Sequence, residues 1–241
     1  FETLKYLKDI IDIVDRNQAF IKANDKLNQL RDGFLGLSMD YGFHIENTFG
    51  GNHKIFELKD NVEYRFFSSL FHCNLLLRQH YLIEQKISER IKNEPTRYTA
   101  VIYPTKHPDF EYAEKEISAL FDSIVFHLSS IYDYLGILIN FICIPDKGQT
   151  PSWKVISKSS RDRNNDFSKR NISSLIDKLD REFVIKLYDY RSELIHRKSD
   201  INEYSFESRI GTDKLNARFI CSEKIRKSFK SYGETDNDYT V

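Results

Sequence analysis

Within the stretch DYRSELIHRKSD, Asp189 to Asp200, an arginine and a histidine stand five positions apart, Arg191 and His196. Their side chains suit phosphoester chemistry. An imidazole titrates near neutrality and can take or give a proton at working pH. A guanidinium stays charged and can hold two oxygens of one phosphate. Neither role requires a metal. On an ideal helix, however, five residues turn through about 140°, so the two positions do not converge on one small atom. They can share a phosphate only if the helix loosens after Leu194 or if a second chain completes the site. The plainer alternative is a structural ion pair at Arg191 and a histidine whose cation suits a helix C-terminus.

The element that must position the pair is a long amphipathic stretch opening at Ile172. Its helical spacing predicts a buried stripe of Ile172, Leu175, Ile176, Leu179, Phe183, Leu187, Tyr190 and Leu194. Arg191 falls at the border of that stripe, where an unpaired charge would be costly, so it requires an acceptor. Asp133 is the only charged residue between Asp122 and Asp146 and is the expected partner.

Three further helices are expected upstream. The first carries Leu4, Leu7, Ile11, Val14, Leu27 and Leu30 on one stripe and is expected to stop at Gly33. The second is expected to start at an Asp60/Glu63 capping pair and to end at Glu94-Pro95. Between these two, the stretch around Gly50-Gly51 reads as a hairpin or an ordered loop. The third runs from about Tyr112 to Cys143, with Pro145 beyond it. Its apolar part, Ser123 to Ile144, is long enough to cross a bilayer. Asp133 near its middle would cost about 2.5–3.5 kcal/mol there, and the stretch is read as a core helix without stable membrane insertion. A polar, basic connection, Lys154 to Arg170, then reads as a long loop. After the last helix, apolar and polar residues alternate around Gly211-Thr212-Asp213, which predicts a small C-terminal β-hairpin.

Only nine Gly and five Pro in 241 residues disfavour a turn-rich β fold, and a formal net charge of zero argues against a global field for nucleic acid. The charge is nevertheless segregated. His107 to Asp146 carries a net −6, and Lys154 to Lys198 a net +5, a split that points to polyanion contact by the later segment. Cys73, Cys143 and Cys221 are widely spaced, with no metal-ligand spacing, so reduced thiols in a cytoplasmic protein are expected. His72 and His80 lie eight residues apart, not at the i, i+4 spacing of a helical zinc pair. No metal or cofactor is assigned.

A helix ending in R-x4-H, here Arg191 and His196 within YRSELIHRKS, after a long helix with an embedded acid, resembles the HEPN superfamily (higher eukaryotes and prokaryotes nucleotide-binding domains). The similar region covers about residues 111 to 198. The resemblance implies a mainly α fold: an HEPN-like helical bundle with long antiparallel helices, an N-terminal helical extension and the small C-terminal hairpin. It divides the chain into an N-terminal helical region, residues 1–105, and an HEPN-like domain, residues 106–241. It also implies a homodimer that gathers motif copies from both chains, an RNA substrate and, in a toxin or phage-defence setting, an antitoxin protein as partner. In that scheme Arg191 stabilises the phosphate, His196 is base or acid, Ser192 orients one of them and Asp133 supports Arg191. Lys158, Arg161, Arg163, Lys169, Arg170, Arg197 and Lys198 would guide the RNA backbone. Active HEPN members often carry Asn, Asp or His where this chain has Ser192, which keeps open a catalytically inactive RNA- or nucleotide-binding or dimerisation module. The tyrosine that some HEPN toxins carry two residues after the histidine is replaced by Lys198.

Overall fold

In a computed structural model of the chain, residues 18–51, 54–93, 108–143, 152–196, 203–208, 215–220 and 227–229 are described. The expectations for residues 1–17, for the link up to residue 107, for Pro145, for the turn at Gly211-Thr212-Asp213, and for Cys221, Arg197 and Lys198 lie outside them. The fold is mainly helical.

Helix α1, Gln18–Phe49, does not stop at Gly33 but continues through Gly33, Gly36 and Gly42. A mid-helix glycine costs about 1 kcal/mol relative to alanine. Packing offsets it: Phe34 stacks on Phe66 of the next helix at 4.1 Å, and the Ser38 hydroxyl donates to Glu63 at 2.9 Å. The stop is Gly50, whose φ of 82° suits glycine and whose N–H donates to the Glu46 carbonyl at 3.0 Å. The stretch expected to be a hairpin or an ordered loop thus holds the end of one helix and the start of another.

Helix α2, Lys54–Asn93, begins before the expected cap. Asp60 and Glu63 lie inside it, and Glu63 pairs with Lys59 at 3.0 Å instead of closing an N-terminus. Helix α3, Pro108–Cys143, opens on a proline, whose missing N–H costs nothing at a first helical position. It is long and apolar enough to cross a membrane, with one-third of its most apolar window buried.

The expected basic loop is largely ordered structure. Helix α4, Trp153–Arg161, is capped by Ser152, whose hydroxyl accepts from the Val155 N–H. A 3-10 turn follows at Asp166–Lys169. Few apolar residues lie here, yet Trp153, Ile156 and Phe167 are almost wholly buried, and this density was not evident from composition.

The last helical run has three parts: α5, Asn171–Leu179, a π-turn at Asp180–Val184, and α6, Ile185–His196. The buried positions recur every three or four residues through the π-turn, but on a different side from the one expected at the start of the run. Ile172 and Leu175, expected inside, are exposed, whereas Ser173, Ile176, Asp180, Val184, Leu187 and Tyr190 are buried. Two six-residue strands, β1 (Glu203–Ser208) and β2 (Leu215–Ile220), pair antiparallel, with Glu203 opposite Ile220 and Ser208 opposite Leu215.

The chain divides into two compact units. One comprises residues 1–29, 71–122 and 199–241; the other comprises 30–70 and 123–198. In the first, Gln79 of α2 donates to Glu116 of α3 at 2.6 Å, beside a cavity of about 220 Å³ lined in part by Ile83, Ile87 and Ala113. In the second, Trp153, Ile156, Phe167, Ile176 and Val184 form a core against Tyr132, Leu135 and Ile139 of α3. That second unit holds the residues whose chemistry is in question.

Candidate functional site

Arg191 lies nearly two turns into α6, on the helix face turned toward α3. Its Nη1 donates to Asp133 Oδ2 at 3.1 Å, the ion pair expected from the lone acid of that helix. Two residues not anticipated from the sequence complete the clamp. The Tyr188 hydroxyl donates to the other Asp133 oxygen at 2.6 Å, and the Phe126 ring lies under the guanidinium with 5.2 Å between ring centre and Cζ. The spacing carries a signal for both: Tyr188 precedes Arg191 by three residues, and Phe126 precedes Asp133 by seven, so each shares a helical face with its neighbour. Burial, reinforced by the Asp133 carboxylate, holds the Tyr188 phenol well above its usual pKa, so it acts here as a donor.

The clamp leaves part of the guanidinium unsatisfied. Arg191 Nε is shielded from solvent and has no hydrogen-bond partner among the described residues. A buried donor without an acceptor costs about 1–3 kcal/mol. An oxyanion reaching the edge of the guanidinium away from Asp133 would relieve it, and this is the edge that binds phosphate in bidentate fashion. The side chain as a whole keeps a fractional exposure of 27%.

The other expected site residues are distributed unevenly. Ser192 is exposed next to Arg191. His196 is the last residue of α6, which remains α-helical that far, so the loosening after Leu194 considered from the sequence is absent. Lys158, Arg163 and Arg170 are exposed. Arg161 is exposed as well, but it is taken up by ion pairs. It donates to Asp177 at 2.6 Å and to the buried Asp180, whose other oxygen accepts from the Trp153 indole at 2.7 Å. Those carboxylates, Asp177 foremost, hold the Arg161 pKa above its ordinary value. Lys169 pairs locally with Asp166 at 2.9 Å. The basic segment is therefore partly self-neutralised.

A second arginine–histidine contact lies in the same unit. Arg65 Nη1 of α2 stands 3.4 Å from His127 Nδ1 of α3, with the guanidinium over the rings of Tyr64 and Tyr134 at 5.5 and 5.6 Å. The sequence hint was a cation among aromatics in EYRFFSSLF, a stretch that by its spacing reads only as part of a helix. Among the described residues no group of three or more His, Cys, Asp or Glu is arranged to hold a metal. Compared with protein-family models, curated proteins and solved structures, the chain gives no match in any of the three.

Proposed function

We propose that this chain is an HEPN-like, metal-independent endoribonuclease acting as a homodimer, in which Arg191 and His196 contributed across the dimer meet at one scissile phosphate. The observation that carries the proposal is the clamp on Arg191: a guanidinium fixed by Asp133 and Phe126 while its Nε lacks an acceptor. Such fixation removes the reorganisation that a flexible cation would need as charge develops on the phosphate.

In the proposed reaction His196 accepts the proton of the ribose 2′-OH as that oxygen attacks the adjacent phosphorus. The 2′-O–P bond forms, the P–O5′ bond breaks, and a proton returns to the leaving 5′ oxygen. The products are a 2′,3′-cyclic phosphate and a 5′-OH, and DNA, lacking the nucleophile, is not cut. Arg191 holds the non-bridging oxygens throughout, and Ser192 orients one of the two. Lys158, Arg163 and Arg170, together with Arg197 and Lys198, guide the strand. A cytoplasmic setting and an antitoxin partner belong to the same proposal.

A second reading, an inactive HEPN-like binding or dimerisation module, is favoured by the short uncharged Ser192 beside Arg191. Purified protein incubated with single-stranded RNA in the presence of a chelator separates the two. The nuclease reading predicts cleavage that falls at least about a hundredfold in His196→Ala, the usual scale for loss of a general base. Cleavage unchanged in that variant removes the mechanism, and no cleavage by the unmodified chain favours the binding module.

A further inference from the structure

Arg65 is a partly buried cation for which the described residues supply no carboxylate. It meets the His127 imidazole and the faces of Tyr64 and Tyr134, and its Nε, shielded from solvent, lacks a hydrogen-bond partner among the described residues. A guanidinium can only donate, so His127 Nδ1 must present its lone pair to Arg65 for the 3.4 Å contact to be a hydrogen bond. The imidazole thereby orients the cation without neutralising it. Arg191 is anchored in a similar way, through Nη1, with its Nε also unsatisfied.

The two arginines are related through consecutive residues of α3. Phe126 underlies Arg191, His127 faces Arg65, and the Phe126 and His127 rings meet edge to face at 5.7 Å. Exposed aromatic rings accompany them: Phe126 is 43% exposed and Tyr64 63%. Cations alternating with open aromatic faces match single-stranded nucleic acid, whose phosphates need charge and whose unpaired bases need rings to stack on.

We infer that Arg65 and His127 form a second phosphate site, with Tyr64 as a stacking platform, which holds a single-stranded RNA next to the Arg191 clamp. This rests on the RNA reading above for the identity of the strand, but not on its chemistry.

The test uses the full chain and a 2′-O-methyl oligouridine, which offers no 2′-OH nucleophile, with binding followed by fluorescence anisotropy at several salt concentrations. For a single strand each phosphate contact contributes about 0.7 to the slope of log K against log salt. Arg65→Gln is expected to weaken binding about tenfold and to lower that slope by roughly one contact. Tyr64→Ser, altering an exposed ring, is expected to weaken binding about tenfold with the slope unchanged, and it serves if Arg65→Gln proves unfolded by circular dichroism. An oligonucleotide that does not bind, a common slope for the unmodified chain and Arg65→Gln, or unaltered affinity in Tyr64→Ser each overturns the inference. So does loss of self-association in these variants with RNA binding intact, because the face then belongs to a protein interface. Arg65-dependent binding by a chain that does not cut unmodified RNA would refute the nuclease and leave this site standing. Cleavage with Arg65-independent binding would do the reverse.

Discussion

Asp133 decides how Arg191 is presented. It accepts from both Arg191 and Tyr188 while its own side chain is 44% exposed, so the pair is screened by solvent and adds little to stability. Asp133→Ala also strips the partly buried Tyr188 hydroxyl of its acceptor, so it should cost about 1–3 kcal/mol, by denaturant titration. If RNA cleavage is the activity, its rate in this variant should fall about tenfold or more through loss of orientation. This pair was legible because a lone acid in a long apolar stretch and a cation at the edge of an apolar stripe each lack any other partner. Tyr188 and Phe126 were not, since an aromatic on a core helix ordinarily reads as packing. His80 bears on a different property. Burial lowers its pKa from the ordinary 6.5 to about 4. Between those values the unfolded chain takes up a proton that the folded chain refuses. The histidine thus imposes no cost above pH 6.5, and stability falls as pH drops toward 4, by about 2–3 kcal/mol in all. Guanidinium titrations at pH 7 and pH 4.5 should show that loss, and it should shrink in His80→Leu; an equal loss in both chains would assign it to other groups.

At the scale of elements, glycines behave in two opposite ways. A Cβ at Gly136 of α3 would collide with the Trp153 backbone nitrogen, because the start of α4 rests directly on that helix. Gly136→Ala should cost at least about 2 kcal/mol, since backbone cannot yield as a side chain tip can. Gly33 is also helical, and a methyl group there would meet nothing within 4 Å. Gly33→Ala should raise stability by about 0.5–1 kcal/mol. Thermal unfolding of the two variants with opposite signs of change would establish the contrast. Helix existence was readable from apolar spacing, whereas the boundaries at Gly33 and Asp60 were not, because local stop and start signals yielded to packing such as Phe34 on Phe66. The π-turn at Asp180–Val184 also escaped. No residue type there marks a wider turn, and an acid at position 180 reads as solvent-facing, whereas Asp180 is buried against the Trp153 indole and Arg161. Ser152 ahead of Trp153 was an ordinary cap signal, obscured by the polar character of the whole segment.

For the whole molecule, scarcity of glycine and proline spoke only against a turn-rich β fold, and the mainly helical character came from the apolar spacing of the long stretches. Function was less accessible, because in the proposed nuclease the decisive geometry lies between two chains. Helix α6 stays regular through His196, which puts positions 191 and 196 about 140° apart around it, so the proposed mechanism requires pairing of copies to bring the two residues together. Subunit mixing tests that claim most directly. Arg191→Ala and His196→Ala homodimers, each inactive alone, are combined under conditions that exchange subunits and then assayed on RNA. The composite site predicts recovered cleavage, approaching half that of the unmodified dimer in the mixed species, since one of its two sites keeps both residues. Mixed dimers that form, as judged by mass, yet remain as inactive as their parents would contradict it.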